Sequence, residues 1–384
     1  MDAYPIETIA CVYHLAKLSD LPMVDAAEIL GQGTARFCRC ERTFIYDKKM
    51  TIPPVRLLLW SRRITHETKR MWFEMKSIDK TGVNVPEIIG IDHGWSYIKT
   101  AGIVFKSGVK EISTEPAFFD DVLEYKDKFY KVGTSRMEVK KNKVVTPDYY
   151  YLTLAAIAKE MKSRKKHEAH VVIAAGLPTS RYGDEKKDFQ KYLNQNNEVI
   201  FKYEEENFHV WVDKAFIYPQ CFPAVIDSLP MFGSKVVVVD IGSWTIDIVP
   251  VVNRKPDESG ISSIPQGIIT CMRAINKECM RRFGEQIDES EITKYMINRE
   301  TILPGDYKSI MNCEFDHFID MILGSLREEQ YSLMTTPIIF VGGGAILMKN
   351  YCDRNYGHFT YLTDVKANAI GYETLARIAL SKGG

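Results

Sequence analysis

The chain is 384 residues long and 45% hydrophobic, ample for a large core and soft evidence for two domains. Lys plus Arg and Asp plus Glu each number 50, so the net charge is zero. That argues against electrostatic binding of nucleic acid by the body of the protein and removes one barrier to self-association. The eight cysteines lack a zinc spacing, the N-terminus carries no basic leader, and no apolar run is long enough to span a membrane. Reduced thiols and a cytoplasmic location without membrane contact are therefore expected.

Residues 1–74 mix short apolar patches (9–18 and 55–60) with Arg-rich stretches and show no sustained period. Two readings stand for them: an extension that folds or docks locally, or an over-long reading frame with the start at Met75. The missing period favours the second. Residues 88–105 read as a strand, a turn at Asp92-His93-Gly94-Trp95-Ser96 and a second strand carrying Lys99. Residues 111–133 alternate apolar and charged positions, as in an antiparallel edge. Thr146-Pro147-Asp148 predicts a helix start, with Thr as N-cap, Pro in the first turn and an acid beside it. The basic run 162–166 is read as its solvated end.

Residues 170–175 predict a buried strand, 184–193 a helix, 198–203 and 208–217 strands, and 222–229 a crossing helix. Residues 236–250, VVVVDIGSWTIDIVP, repeat the first hairpin: an apolar run expected to be buried on both faces, then Asp240, Gly242, Ser243, Trp244 and Thr245, then Asp247 in a second apolar run. Residues 268–283 are helical by period, with Ile268, Cys271, Met272, Ile275, Cys279 and Phe283 on one side and Arg273, Lys277, Arg281 and Arg282 opposite; Gly284 stops the helix. Further helices are expected at 288–296, 306–332 and 367–380, and a strand at 338–341 running into Gly342-Gly343-Gly344.

Each strand–Asp–x–Gly turn alone would be an ordinary hairpin, since Asp before Gly is a common turn former. Two copies followed by a strand–Gly–Gly–Gly are far more specific. A glycine lets backbone N–H groups approach a phosphate, hydroxyls donate to it, and carboxylates join in through a hydrated cation. Together the motifs resemble the actin-like ATPase superfamily over roughly residues 86–381, most similar to ParM-type plasmid-partition actins through IGIDHGxSxxKT, the Ala-Gly-Leu-Pro at 175–178 and the compact spacing.

The resemblance implies an α/β fold of two actin-like (ribonuclease H-like) domains, each a mixed five-stranded sheet with flanking helices, around a nucleotide cleft. Domain I would span 75–222 with 365–384 returning to it, and domain II 223–364. Asp92 and Asp240 would hold Mg²⁺ through water and share in catalysis. Gly94, Trp95, Ser96 and Lys99 of the first turn, and Gly242, Ser243, Trp244 and Thr245 of the second, would bind ATP or GTP. Trp95 and Trp244 exceed the usual residue size there, and would either pack across the cleft or flank the nucleotide. Gly267, Gly342, Gly343 and Gly344 would lie against the adenosine. Gln220 stands where partition actins carry Glu and eukaryotic actin Gln; an amide orients the attacking water by hydrogen bonds, without acting as a base. His93, beside Asp92, points away from the phosphates because neighbouring strand residues face opposite sides.

The function implied is an ATP-driven filament former acting in plasmid segregation, which reaches DNA through a DNA-binding adaptor protein. Two alternatives are a non-polymerising actin-fold ATPase, such as a cell-division or pilus-assembly homologue, and a small-molecule kinase of the same superfamily.

Overall fold

The computed structural model describes residues 85–137, 142–354 and 356–382; the expectations for residues 1–74 lie outside them. The first sheet is built from β1 (Glu87–His93), β2 (Tyr97–Thr100), β3 (Val104–Lys106), β4 (Val109–Ile112), β5 (Val122–Tyr125), β6 (Lys128–Val132), β7 (Glu168–Leu177), β8 (Glu198–Tyr203) and β9 (Glu206–Pro219). Helix α1 (Asp148–Ser163) separates β6 from β7, and α2 (Tyr182–Leu193) separates β7 from β8. The strand order is β3-β2-β1-β7-β9-β8-β5-β6-β4. The expected five strands are its first five; four more extend it to nine among the described residues. The extension follows from β9, whose 14 residues pair in parallel with β7 on one side and antiparallel with β8 on the other. The alternating segments at 109–132 then continue the sheet from β8.

The second half opens with the one-turn helix α3 (Phe222–Val225), then β10 (Lys235–Ile241), β11 (Ile246–Val252), β12 (Lys255–Pro256) and β13 (Ser262–Ile264). Helices α4 (Ile268–Phe283), α5 (Glu289–Asn298) and α6 (Gly305–Glu328) follow, then β14 (Ile338–Val341), α7 (Ala345–Tyr351), β15 (Phe359–Tyr361) and α8 (Ala367–Lys382). This sheet runs β12-β11-β10-β14-β15, five strands as expected, with β13 added on β11. The four valines of β10 are buried on both faces: Val237 and Val239 face the core under α4 and α6, while Val236 and Val238 face Val225, Leu229 and Ile339. Each side chain so removed from water contributes roughly 1.5 kcal/mol. Gly284 caps α4 in the left-handed conformation (φ 76°), and Asp288 caps α5 by accepting from the Ser290 N–H at 2.8 Å.

Three local expectations are corrected. Thr146 does not cap α1: Pro147 holds the cap position, and the Thr146 hydroxyl donates to the Asp148 carboxylate at 2.8 Å. The crossing helix at 222–229 is one turn; Pro230 cannot donate to a continuing ladder, and the chain re-forms only as a 3-10 turn at Leu229–Met231. The basic run at 162–166 is not simply solvated. Lys162 pairs with Glu204 and Glu206 at 2.7 and 2.8 Å. Arg164 joins Glu87 of β1, Glu160 of α1 and Glu373 of α8 at 2.7, 3.1 and 3.6 Å.

Helix α8 packs on β1, β7 and α3. Glycines permit this approach: a Cβ at Gly90 would lie 2.0 Å from the Ala369 carbonyl, and one at Gly371 the same distance from that of Pro223. Buried Glu373 accepts the Gly90 N–H at 3.1 Å. The first turn of α8 is thereby fixed beside the C-terminal ends of β9 and β10.

Candidate active site

The two Asp–x–Gly turns are built alike. Asp92 is the penultimate residue of β1 and lies opposite Lys99 of β2; Asp240 is the penultimate residue of β10 and lies opposite Asp247 of β11. In the first turn the Gly94 N–H donates to the Asp92 carbonyl at 3.0 Å, and a Cβ at Gly94 would sit 2.6 Å from the Tyr97 carbonyl. Ser107, missed by the sequence reading, braces this turn: its N–H donates to the Ser96 carbonyl at 3.1 Å and its hydroxyl to the Trp95 carbonyl at 2.5 Å. Ser96 Oγ is buried without a hydrogen-bond partner, a spare polar group in a turn that otherwise satisfies its own.

The second turn is closed by Gly242 N–H to the Thr245 carbonyl at 2.9 Å and by the Thr245 hydroxyl to Asp247 at 3.1 Å. Its carbonyls at Gly242, Ser243 and Trp244 accept from the N–H groups of Ile268, Ile269 and Gly267 at 3.1, 3.0 and 3.0 Å. The start of α4 is thus locked onto the turn. Gly267 makes this possible, since a Cβ there would lie 2.4 Å from the Ser243 carbonyl carbon. The triple glycine divides by role. Gly342 (φ 81°) has Asp240 Oδ1 where a Cβ would fall, at 2.2 Å, and Gly344 has Ile241 there at the same distance. Only Gly343 has open space beside it.

Asp92 accepts from Lys99 Nζ and Gln220 Nε2, both at 3.0 Å. Its burial favours the neutral acid, but the ammonium groups of Lys99 and Lys143 outweigh this and hold the carboxyl below the usual range. Asp240 is pushed up to about 6, first by burial and then by the nearby carboxylates of Asp247 and Asp92, against the pull of Lys99 and a hydrogen bond from Asn368. Burial also raises Asp247. Lys99 feels both Asp92 and Asp240, which keep it charged despite burial. The charges of both turns thus act on one lysine, which bonds directly to Asp92 alone.

Gln220 follows β9 in a strained turn. Cys221 has φ 75° and ψ −63°, and the Phe222 N–H donates to the Gln220 carbonyl at 3.0 Å, which makes a γ-turn rare for a residue with a side chain. Gln220 N–H to the Leu177 carbonyl (2.8 Å) and the Thr179 hydroxyl to the Gln220 carbonyl (2.9 Å) hold it from one side. From the other, the Cys221 N–H donates to Asn368 Oδ1 at 3.1 Å.

His93 is turned away from the turns, as expected. Its Nε2 lies 2.8 Å from the Thr153 hydroxyl, its ring packs between Tyr149 and Phe189, and burial lowers its pKa to about 3. The tryptophans do not pack against one another across the turns. Trp95 meets Tyr149 of α1 at 5.5 Å, and Trp244 lies under the Arg273 guanidinium of α4 at 5.0 Å.

Two features escaped the sequence reading. Lys143 is buried, donates to the Gly176 carbonyl at 3.3 Å, and is brought down to about 8 chiefly by burial; it lies in an irregular segment where no period marks burial. Arg273 and Lys277, exposed on the polar face of α4 as expected, line a groove of about 420 Å³ with Asn276 and Glu289. Glu289 also pairs with Arg136, which follows the first sheet's β6. The signal available was a basic pair one turn apart on the helix that follows the second Asp turn.

Among the described residues no three His, Cys, Asp or Glu side chains form a metal cage, and no helix is long and apolar enough to cross a membrane. A family model for the N-terminal domain of actin-like proteins matches residues 90–222, and one for the C-terminal domain of archaeal MreB-like actin homologues matches 238–353. No curated protein sequence matches the chain. Among solved structures, the archaeal actin homologue Ta0583 superposes with a TM-score of 0.62 at 19% identity, covering 76% of this chain and 99% of that one. Apo pSK41 ParM gives 0.59 at 20% identity, covering 77% and 98%. The Bacillus thuringiensis ParM with ATP gives 0.57 at 13% identity, covering 77% and 99%. The repeated Asp–x–Gly turns, the two-sheet fold and two consecutive domain matches agree: the chain belongs to the actin-like superfamily, with ParM-type proteins and archaeal actin homologues among its structural neighbours.

Proposed function

We propose that this protein binds ATP with magnesium between the Asp92 and Asp240 turns, hydrolyses it slowly, and assembles into filaments that hydrolysis destabilises. The observation that carries this reading is that Lys99 and Gln220 both bond Asp92 while Asn368 ties the turn that follows Gln220 to Asp240, with a spare buried hydroxyl at Ser96. The residues fit a hydrated cation. Asp92 and Asp240 would hold it through water, since no all-protein cage is present among the described residues. When bound, magnesium neutralises the triphosphate charge that three carboxylates would otherwise repel.

Lys99 keeps Asp92 ionised and presents fixed positive charge to the phosphates. Ser96 and Ser243 offer hydroxyls, and Gly94 and Gly242 allow the backbone to approach. Gln220 donates its amide N–H to Asp92, and its carbonyl oxygen is the end that can accept a water O–H. It orients that water without taking its proton, which supports slow turnover. The groove lined by Arg273, Asn276 and Lys277, with Arg273 also over the Trp244 ring, offers room for the base and sugar. ATP is favoured over GTP only by resemblance to a ParM whose structure holds ATP.

We further place this chain in plasmid DNA segregation in the cytoplasm. Zero net charge points to an adaptor protein, not this chain, as the DNA contact. Phosphate release and light scattering after adding ATP with magnesium test the reading together. It expects scattering to rise at once and to decay as phosphate appears. Phosphate release without any rise in scattering would favour a non-polymerising ATPase, and neither signal would overturn the reading.

A further inference from the structure

Asn368 lies in the first turn of α8 and is 6% exposed. Its side chain makes two hydrogen bonds in opposite senses: Oδ1 accepts the Cys221 N–H at 3.1 Å, and Nδ2 donates to Asp240 Oδ2 at 2.9 Å. The partners fix the orientation of the amide, because an N–H needs an acceptor and a carboxylate needs a donor. One neutral side chain thus joins the strained turn that carries Gln220 to the carboxylate of the second Asp turn. Gln220 in turn holds Asp92 at 3.0 Å. The path Asp92–Gln220–Cys221–Asn368–Asp240 runs from one sheet to the other through α8, which is itself seated on β1, β7 and α3.

We propose that Asn368 is a positioning residue for hydrolysis. It holds the γ-turn at Cys221, and with it Gln220, in register with Asp240, so that a water oriented by Gln220 is aimed at a phosphate whose position the second turn sets. The proposal rests on the reading of the cleft as an ATPase site. A turn at φ 75° on a non-glycine residue persists only when its surroundings over-determine it, and Asn368 is the contact that links this constraint to the opposite sheet. A residue that served packing alone would not need both a donor and an acceptor facing two different walls.

Asn368→Asp separates the two halves. It keeps the volume and the acceptor for Cys221 but replaces the donor to Asp240 with a carboxylate. Asn368→Ala removes both. In the ligand-free full-length protein, hydrogen exchange should show the Cys221 amide protected in wild type and Asn368→Asp, and exchanging at least roughly 10-fold faster in Asn368→Ala. Phosphate release should fall roughly 10-fold or more in both variants, with ATP affinity changed less than about 3-fold in Asn368→Ala, which adds no charge beside Asp240. The Gln220→Ala/Asn368→Asp double variant should be no slower than Gln220→Ala alone, because Asn368 acts through Gln220. Full multiplication of the two losses, or wild-type turnover in Asn368→Asp, would overturn the assignment while leaving the ATPase reading intact. A wild-type protein that binds ATP but releases no phosphate would overturn that reading, and the role of Asn368 with it.

Discussion

The Asp92 and Asp240 turns share one backbone design and differ in one facing residue. In each hairpin the residue seven positions after the aspartate is its cross-strand partner: Lys99 in the first, Asp247 in the second. Opposite charge across the pair stabilises the Asp92 carboxylate against its burial, whereas like charge adds to burial and lifts Asp240 to about 6. The first turn is therefore electrostatically complete without a ligand. The second gathers negative charge that a cation would relieve. A duplicated motif need not be a duplicated environment: one aspartate faces its counter-charge across the hairpin, and the other faces a second carboxylate.

Removing the second carboxylate should do most to break the comparison. Asp240→Ala is expected to lower phosphate release by roughly 100-fold or more with stability at pH 7 no lower than wild type, because the cost of ionising a buried carboxyl goes with it. Asp92→Ala should lose activity and also roughly 3 kcal/mol of stability, because it strands Lys99 as a buried charge; equal stability of the two variants would contradict the asymmetry. Gln220→Ala should slow phosphate release roughly 10-fold to 1000-fold with little change in ATP affinity, and filaments should last longer as a result.

The pH dependence separates the turns next. The folded pKa of Asp240 lies above its unfolded value, so the folded form binds the proton more tightly. Its contribution to stability is present below about pH 4 and is lost as pH rises through about 6. That loss is on the order of 2–3 kcal/mol, and Asp240→Asn, measured ligand-free from pH 4 to 7, should abolish this part of the slope. A slope identical to wild type would place the titration elsewhere. The smallest stability effect is expected within the triple glycine. Gly343→Ala should change stability by less than about 0.5 kcal/mol yet weaken ATP binding, whereas Gly342→Ala should cost roughly 1–3 kcal/mol, since its φ is 81° and its Cβ would strike Asp240.

Much of this was legible in the sequence because the signals are local. The Val236–Val239 run, the Gly284 cap and the repeated Asp–x–Gly turns each depend on neighbouring residues, and the period of 268–283 gave the bounds of α4 without error. What was not legible depends on long-range pairing. Four strands join the first sheet beyond β9, and no local pattern says which edge they extend. Lys143 is buried in a segment without period. Asn368 looks like any polar residue at a helix start; its two partners lie 147 and 128 residues away.

The most direct test of the central claim is calorimetric titration of ATP into the full-length protein, with magnesium and with a chelator in its place. Three carboxylates, Asp92 of the first turn and Asp240 and Asp247 of the second, predict that affinity falls at least roughly 100-fold without the cation. Equal ATP affinity in the two conditions would contradict the account, because it would mean that the triphosphate does not meet Asp92, Asp240 and Asp247 at all.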